Sequence, residues 1–351
     1  MSQNLFKFAP NKQRNNIRYQ VEKSGFLRRF FRSKINIILI TILLLMLLFA
    51  FISLFFTNDH FTKNEHDFEI SRLVKPIFSS NQDYYLANNN SSISNEIINN
   101  LKQHKINYKI EVIPFNRIIF NHREYLEKTG FNHWLILGTD AQGKDVLINS
   151  FQLFCISVSI AIAIFILEFF FGFYLGSYLA FSESFFIKNL IKGFNLFISL
   201  PDILTILIAL LIFQNKLAVY IVIFITGTIR ISYWSYNYTL EFIGQDILKN
   251  MLYIHGNKLR VINKYIFKNI IGKLLVLFAR RINYIIFFIA TIHFYGYHFD
   301  NNVAVLFQKN WEYRAINWAQ IVFPALYLTT FFITFQFLTI KIDLYLDPKN
   351  S

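Results

Sequence analysis

The stretch Ile35–Phe56, INIILITILLLMLLFAFISLFF, holds no charged residue over 22 positions. About 20 apolar residues in a helix are enough to cross the hydrocarbon core of a bilayer, which is about 30 Å thick. The run is longer than the apolar part of a signal peptide, and no small-residue cleavage site follows it. We therefore expect it to be the first membrane span, retained as an anchor.

The rest of the chain has the same apolar character. Of its 351 residues, 54% are hydrophobic, 19% are aromatic and only 16% are charged, which is too apolar for an ordinary soluble fold. The apolar runs predict an all-α integral membrane protein with about six spans. We place these spans at 35–56, 151–180, 194–213, 217–238, about 270–298 and 318–340.

The basic residues gather at the ends of the apolar runs. Nine Lys and Arg precede Ile35 and only one acid, Glu22, accompanies them, so the positive-inside rule makes the segment 1–34 cytoplasmic. The loop 241–273 is also rich in Lys and Arg and is expected inside. The net charge of +14 therefore indicates membrane topology, not nucleic-acid binding, which requires bases on one soluble face. Six spans then leave both termini cytoplasmic, including the tail 341–351.

A polar segment, 57–148, separates the first two spans. Its acids and bases nearly balance, and the charge rule puts it outside the cytoplasm. Ile and Val recur in the stretch from Tyr108 to Phe120, which predicts one or two strands. We expect a small external insert here, followed by a core of the remaining spans over 149–340.

The sequence offers no set of residues for catalysis. The single cysteine, Cys155, allows neither an intrachain disulfide nor a thiolate metal site. His293 and His298 are five residues apart, a spacing that does not suit one helical face. No group of acids and histidines at a membrane face is arranged for acid–base work. We expect no enzymatic activity, no metal site and no cofactor held by the chain itself.

One segment matches the phosphate-binding pattern GxxxxGK, from Gly138 to Lys144. The next residue is Asp145, whereas a phosphate loop places a Ser or Thr there to hold magnesium. No buried strand precedes the segment, and the charge rule puts it on the side of the membrane away from ATP. We therefore reject a nucleotide site.

The same residues, GTDAQGKDVL at 138–147, resemble the GTDxxGRDVL signature of the second permease subunit in dipeptide and oligopeptide ABC importers. Asn317-Trp318, the following FPAL and the closing LDPKN at 346–350 resemble that family's last span and terminus. The long insert makes the YejE-like subgroup the nearest likeness. The matched motif residues are Gly138, Thr139, Asp140, Gly143, Asp145, Pro201, Gly296, Pro324, Asp347 and Pro348.

This resemblance implies six transmembrane helices in the binding-protein-dependent type I permease fold. It implies a subunit that forms half of a translocation pathway for peptides or peptide-like compounds in the bacterial inner membrane. The implied partners, besides membrane lipid, are a second homologous permease, two cytoplasmic ATPase domains that bind the ATP, and an external solute-binding protein.

The resemblance is weakest in the cytoplasmic loop. Family members carry Glu/Ala-Ala-x-x-x-Gly there, in a short helix that docks on the ATPase. Gly256 is kept, but Met251 and Leu252 stand where small residues belong. Either the partner surface has changed to match or coupling is weakened, and without the resemblance a solvated basic loop explains the segment. The implied coupling residues are Asp246, Met251, Leu252, Gly256 and Arg260.

Five charged residues interrupt the apolar runs, and each would cost a few kcal/mol or more if it faced lipid. We expect them to face protein or water. One hypothesis is that an acid pairs with the arginines around the translocation pathway and meets the charged ends of a peptide. The alternative is a structural ion pair that only neutralises itself. The five residues are Glu168, Asp202, Arg230, Arg280 and Arg281.

Three points on topology, packing and function stay open. Apolarity alone starts the fifth span at Ile282, but the family alignment starts it near Ile270 and buries both arginines; we favour the earlier start, with at least one arginine facing the pathway. Gly172 and Gly176 predict close helix packing, within the chain or against a partner. The rival functions are a transport-inactive permease that serves as a structural or sensory membrane partner, and a membrane enzyme, against which the missing catalytic residues argue.

Overall fold

The computed structural model describes residues 30–56, 70–80, 82–87, 92–112, 116–129, 135–182, 184–213, 215–243, 257–296 and 302–346. The helices and strands in chain order are α1 Lys34–Ser53, β1 Asp83–Ala87, α2 Ser92–Gln103, β2 Tyr108–Glu111, β3 Arg117–Asn121, α3 His122–Lys128, α4 Val146–Leu179, α5 Phe185–Ser199, α6 Asp202–Phe213, α7 Lys216–Ile243, α8 Lys258–Val261, a π turn Ile262–Ile266, α9 Phe267–Phe294, α10 Val303–Asn310 and α11 Ala319–Leu346.

Within the described residues, five helices are long and apolar enough to cross a membrane. The chain is therefore a multi-pass, predominantly helical membrane protein, as the composition predicts. The five candidate spans are Lys34–Ser53, Val146–Leu179, Leu217–Ile243, Val276–Phe294 and Ala319–Tyr345.

The segment predicted as the third span is not one helix. It is divided between α5 and α6, which end and begin on either side of Pro201. Proline lacks an N–H group and disfavours helical backbone at the preceding residue, and Leu200 is accordingly extended, with φ −74° and ψ 140°. The two helices have 15 and 12 residues, or about 22 Å and 18 Å, so neither alone crosses the hydrocarbon core.

The fifth predicted span corresponds to the apolar part of one long helix, α9. Helix α9 begins at Phe267, so Arg280 and Arg281 both lie inside it. The helix also continues backwards through the π turn into α8, which extends it well beyond its apolar part. Both arginines also lie in the candidate span Val276–Phe294, whereas a start of the span near Ile270 stays a prediction.

The segment between the first two candidate spans contains a small antiparallel sheet with strand order β1-β3-β2. The two strands β2 and β3 confirm the prediction for residues 108–120, whereas β1 was not predicted. Phe120 on β3 is paired with Tyr84 on one side and Tyr108 on the other. Helix α2 has apolar residues three to four apart, and its Ile97 and Leu101 are fully buried in the core of this segment.

The chain packs into two compact units. We call the described residues within 1–46, 161–285 and 331–351 the helical unit, and those within 47–160 and 286–330 the sheet-containing unit.

Candidate functional site

In the sheet-containing unit, the motif Gly138–Asp145 forms a tight turn, which we call the GTD turn. Asp140 Oδ1 accepts hydrogen bonds from the backbone N–H groups of Gln142 and Lys144, both at 2.9 Å. Asp140 Oδ2 accepts from Asn149 Nδ2 at 3.3 Å. The backbone N–H of Asp140 in turn donates to Lys144 O at 2.9 Å. The carboxylate thus fills the centre of its own turn.

The buried position of Asp140 has an electrostatic consequence. Burial raises the pKa of its carboxyl group, while the two backbone N–H donors and the nearby charges of Lys144 and Lys309 act in the opposite direction. In a phosphate loop, backbone N–H groups of this kind point at the ligand. Here a side-chain carboxylate already accepts from them, which agrees with the rejection of a nucleotide site.

The two motif glycines allow the turn to approach residues 71–74 closely. Gly138 has φ +75°, and an added Cβ would lie 1.9 Å from Val74 O. Gly143 has φ +76°, and its added Cβ would lie 2.3 Å from Ser71 Oγ. Both positions therefore exclude a side chain for two reasons, the left-handed backbone and the lack of space.

Thr139 joins the same two segments through its hydroxyl group. It accepts from Val74 N–H at 2.9 Å and donates a short hydrogen bond to Ser71 O. Its side chain is fully buried. The Thr139 hydroxyl group and Asp140 Oδ1 are therefore satisfied by backbone groups from within the turn or from residues 71–74, whereas Asp140 Oδ2 accepts from the Asn149 side chain.

The GTD turn also joins the first residues of two candidate spans. Asp145 Oδ1 caps α4 by accepting from Leu147 N–H at 2.7 Å and Ile148 N–H at 3.1 Å. Asn317 caps α11 by accepting from Ala319 N–H at 3.0 Å. Through its Nδ2, Asn317 donates to the carbonyl oxygens of Leu137 at 3.0 Å, Thr139 at 3.3 Å and Val74 at 3.3 Å.

Asn317 belongs to the segment that resembles the family's last span, but it was not predicted as a site residue. Its signal in the sequence is modest, because an Asn just before an apolar run predicts a helix cap and nothing more. Its second role, as a donor to a turn 180 residues earlier in the chain, appears only in the structure. Asn317 is fully buried, so these bonds replace contact with water.

In the helical unit, Glu168 on α4 and Arg281 on α9 form a bidentate ion pair. Arg281 Nε donates to Glu168 Oε2 at 2.8 Å, and Arg281 Nη2 donates to Glu168 Oε1 at 2.7 Å. Arg281 Nη2 also donates to Ile223 O on α7 at 2.9 Å. The side chains are 0% and 7% exposed for Glu168 and Arg281, so the pair is shielded within this unit.

Glycines make room for this pair and for the helices around it. A Cβ added to Gly227 on α7 would lie 2.0 Å from the carboxylate carbon of Glu168. Farther along α4, the added Cβ of Gly172 would lie 3.0 Å from Thr228 O, and that of Gly176 would lie 2.1 Å from Ser232 O. Gly172 and Gly176 therefore pack within the chain, against α7, one of the two predicted possibilities.

Of the five charged residues predicted in the spans, the structure brings Glu168 and Arg281 together. Their burial favours the structural ion pair for these two residues. Arg280 is exposed on α9, and Arg230 is half-buried on α7. Asp202 is the first residue of α6, and its side chain lies outside the description.

The predicted coupling residues lie mostly outside the described part of the chain. Asp246, Met251, Leu252 and Gly256 fall in 244–256, which is not described, whereas Arg260 is exposed on α8.

The remaining motif residues mark the ends and irregularities of helices. Pro201 separates α5 from α6, and Pro324 lies inside α11. Gly296, with φ +96°, follows α9, and its N–H donates to His293 O at 3.1 Å. Asp347 and Pro348 lie beyond residue 346, outside the described residues.

Among the described residues, no three His, Cys, Asp or Glu side chains are grouped so that they could hold a metal ion. Cys155 carries a free thiol. No protein-family model matches the chain, and no curated protein matches it either.

Proposed function

We propose that the chain is a permease subunit of an ATP-driven importer for peptides or peptide-like compounds in a bacterial inner membrane. It forms half of the translocation pathway beside a second, homologous permease. Two cytoplasmic ATPase domains supply the energy, and an external binding protein delivers the solute. The chain itself performs no chemistry and binds no cofactor.

The GTD turn is the observation that supports this proposal most. Gly138, Thr139, Asp140, Gly143 and Asp145 each have a separate task in the turn, from close backbone approach to capping of α4. Each of these five matched residues therefore has a structural reason to be the residue that the motif requires. The turn and Asn317 together fix the starts of two candidate spans, as a permease core requires.

A six-span arrangement follows if α5 and α6 are two parts of one span. Both helices pack against α7. Laid end to end they are about 40 Å long, which is sufficient for the hydrocarbon core. The break at Pro201 then lies within a span, where freed backbone groups are tolerated only if they face protein or water.

The buried Glu168–Arg281 pair, in this proposal, holds α4 and α9 together and does not contact the solute. Contact with charged ends of a peptide falls to Asp202, Arg230 and Arg280. Replacing Asp202 with Asn is expected to lower uptake of a labelled tripeptide by cells with normal levels of the protein. Unchanged uptake would show that Asp202 has no role in the translocation pathway.

The decisive experiment is purification of the tagged chain from its native membranes in mild detergent. An ATPase is expected to accompany it, and to be lost in Gly256→Trp, because a bulky side chain separates the coupling loop from its partner. Gly193→Trp is the matched control, since a Cβ added at Gly193 meets nothing within 4 Å. If the unaltered chain brings down no ATPase, the importer proposal fails.

The alternative function is a transport-inactive permease that serves as a structural or sensory membrane partner. Met251 and Leu252 favour it, because they stand where the resembling family has small residues. Restoring Ala at both positions separates the two functions. An inactive permease is expected to gain ATPase binding from this change, whereas a working one already has it.

A further inference from the structure

Three exposed bases recur every fourth residue on the helix that leads into α9. They are Arg260, Lys264 and Lys268, and with the exposed Lys258 at the start of α8 we call them the basic stripe. Four-residue spacing puts side chains on one face of a helix. Apolar residues of the same helix are buried in a cluster with Phe173 of α4; they are Val261, Ile262, Ile266 and Ile270. Arg260, Lys264 and Lys268 therefore form the outward face of an otherwise packed helix, and Lys258 lies at the start of that helix.

The basic stripe lies beside the last turns of α4, which is a candidate membrane span. Lys258 Nζ is 5.4 Å from the centre of the Tyr178 ring, and Tyr174 donates from its hydroxyl group to Asn263 Oδ1 at 2.8 Å. Tyr174 and Tyr178 lie in the last two turns of α4, which ends at Leu179. Tyrosine is enriched at the level of the lipid headgroups, so these contacts hold the stripe at that level.

The surface next to the basic stripe is apolar and open. Leu175 and Tyr178 on α4 are 43% and 50% exposed. On a helix that crosses a membrane, such residues face lipid. A lipid that packs against them has its phosphate group within reach of the neighbouring bases.

The four bases are also without counter-charges in the described part of the chain. None of them makes an ion pair with a described residue, whereas the nearby Lys273 pairs with Glu241 at 3.3 Å. A group of Lys and Arg at the cytoplasmic end of a span attracts anionic lipids. We propose that the basic stripe binds the phosphate groups of anionic phospholipids. A protein surface is the less favoured occupant, because the stripe is tied to a lipid-exposed helix end.

The test uses the full chain in phosphatidylcholine vesicles that contain spin-labelled phosphatidylglycerol or spin-labelled phosphatidylcholine. The measured quantity is the fraction of labelled lipid immobilised by the protein. We expect phosphatidylglycerol to be preferred by clearly more than fivefold, because each nearby base supplies a factor of about five at about 1 kcal/mol. The preference should fall to about fivefold or less in Lys258→Gln/Lys264→Gln/Lys268→Gln, in which one base of the stripe remains. Arg260 is left unchanged because it belongs to the proposed coupling residues.

Two further variants make the result specific. Lys258→Arg/Lys264→Arg/Lys268→Arg keeps the charge and is expected to keep the preference, which also shows that the three positions tolerate change. Lys102→Gln/Lys105→Gln/Lys109→Gln removes the same charge from exposed positions in the sheet-containing unit and is expected to change nothing. In 1 M salt the preference should be lost.

The proposal is overturned if the glutamine variant of the basic stripe keeps the full preference, or if the control variant lowers it equally. It is also overturned if the glutamine variant loses a co-purifying ATPase and keeps its preference for phosphatidylglycerol, because the stripe would then be a protein contact. Failure of the importer proposal would give a different result. No ATPase would then co-purify with any version of the chain, whatever its lipid preference.

Discussion

The GTD turn and the Glu168–Arg281 pair both bury charge between helices, but they satisfy it differently. Asp140 and Asp145 accept from backbone N–H groups. Glu168 accepts from the side chain of Arg281. Turn residues, which donate to Asp140, and the first residues of a helix, which donate to Asp145, have N–H groups without helical partners, whereas the backbone groups in the middle of a helix are already bonded to one another. A carboxylate can therefore be satisfied by backbone at a helix start, but in the middle of a helix it needs another side chain.

This difference predicts that the Glu168–Arg281 pair is more sensitive than the GTD turn to the loss of one residue. Removing one member of a buried ion pair leaves an uncompensated charge. Removing one member of the GTD turn leaves polar groups that other backbone atoms or water can partly satisfy. The loss at each position is expected as a decrease in the free energy of unfolding, measured by SDS titration in mixed micelles.

The largest effect is expected from Arg281→Met, which leaves Glu168 charged and buried. Breaking a buried pair in this way costs about 3–5 kcal/mol. Replacing Glu168 with Met as well should recover most of the loss, because no charge then remains. Arg280→Met is the matched control and should cost less than about 0.5 kcal/mol, since Arg280 is exposed. Equal losses for the two arginines would contradict the distinction between the buried and the exposed residue.

The next effect concerns the glycines with left-handed backbone. Gly138→Ala is expected to cost about 3 kcal/mol, because its Cβ would overlap Val74 O at 1.9 Å in addition to the backbone strain. Gly296→Ala carries the strain alone, since nothing lies within 4 Å of its added Cβ. It should cost about 1–2 kcal/mol. If the two variants are equally stable, close packing of the GTD turn is not what requires glycine.

A smaller effect is expected from Asn317→Ala, which removes a helix cap and three bonds to buried carbonyl oxygens. We expect a loss of about 2 kcal/mol, made of the cap and the unsatisfied carbonyls. Asn215→Ala is the control, because Asn215 Oδ1 also caps a helix, accepting from Leu217 N–H at 3.1 Å at an exposed position. It should cost about 1 kcal/mol or less. A loss at Asn317 no greater than at Asn215 would mean that its contacts with the turn add nothing.

How far the sequence predicts these features depends on how local they are. The GTD turn is contiguous from Gly138 to Asp145, so its motif is visible in the sequence, and apolar length predicts the five long apolar helices. The partner Asn317 and the choice of Arg281 over Arg280 depend on contacts across 180 and 113 residues. Pro201 is a local signal for the end of a helix, but the apolar run around it is long enough for one span, so the break was not predicted. Strand β1 was missed because its Tyr-rich stretch is short and lies between polar residues.

The smallest predicted effect extends the comparison to a titratable base. His122 is buried in the sheet-containing unit, where its Nε2 makes a short hydrogen bond with Ile70 O and its ring centre lies 4.2 Å from that of Tyr84. A carbonyl oxygen only accepts, so Nε2 carries a proton, and both the neutral and the charged ring can donate this bond; burial is what favours the neutral ring. Burial lowers the pKa of His122 from 6.5 to about 4. Like Asp140, this side chain makes hydrogen bonds to backbone, but the charges near it, Lys75 and Arg123, have the same sign as its protonated ring.

The sign of the pH effect follows from that lowered pKa. Below pH 6.5 the unfolded chain takes up a proton at His122 that the folded chain does not, so stability is lost as the pH falls from 6.5 towards 4. One unit below pH 6.5, at about pH 5.5, the loss is about 1.4 kcal/mol. In His122→Gln, which keeps an N–H donor for Ile70 O, the decline in stability between about pH 7.5 and 5.5 should be shallower by that amount. If the stabilities of the two proteins decline in parallel, His122 takes up its proton while the protein stays folded. A backbone partner would then tolerate charge at this site as well as a counter-ion does.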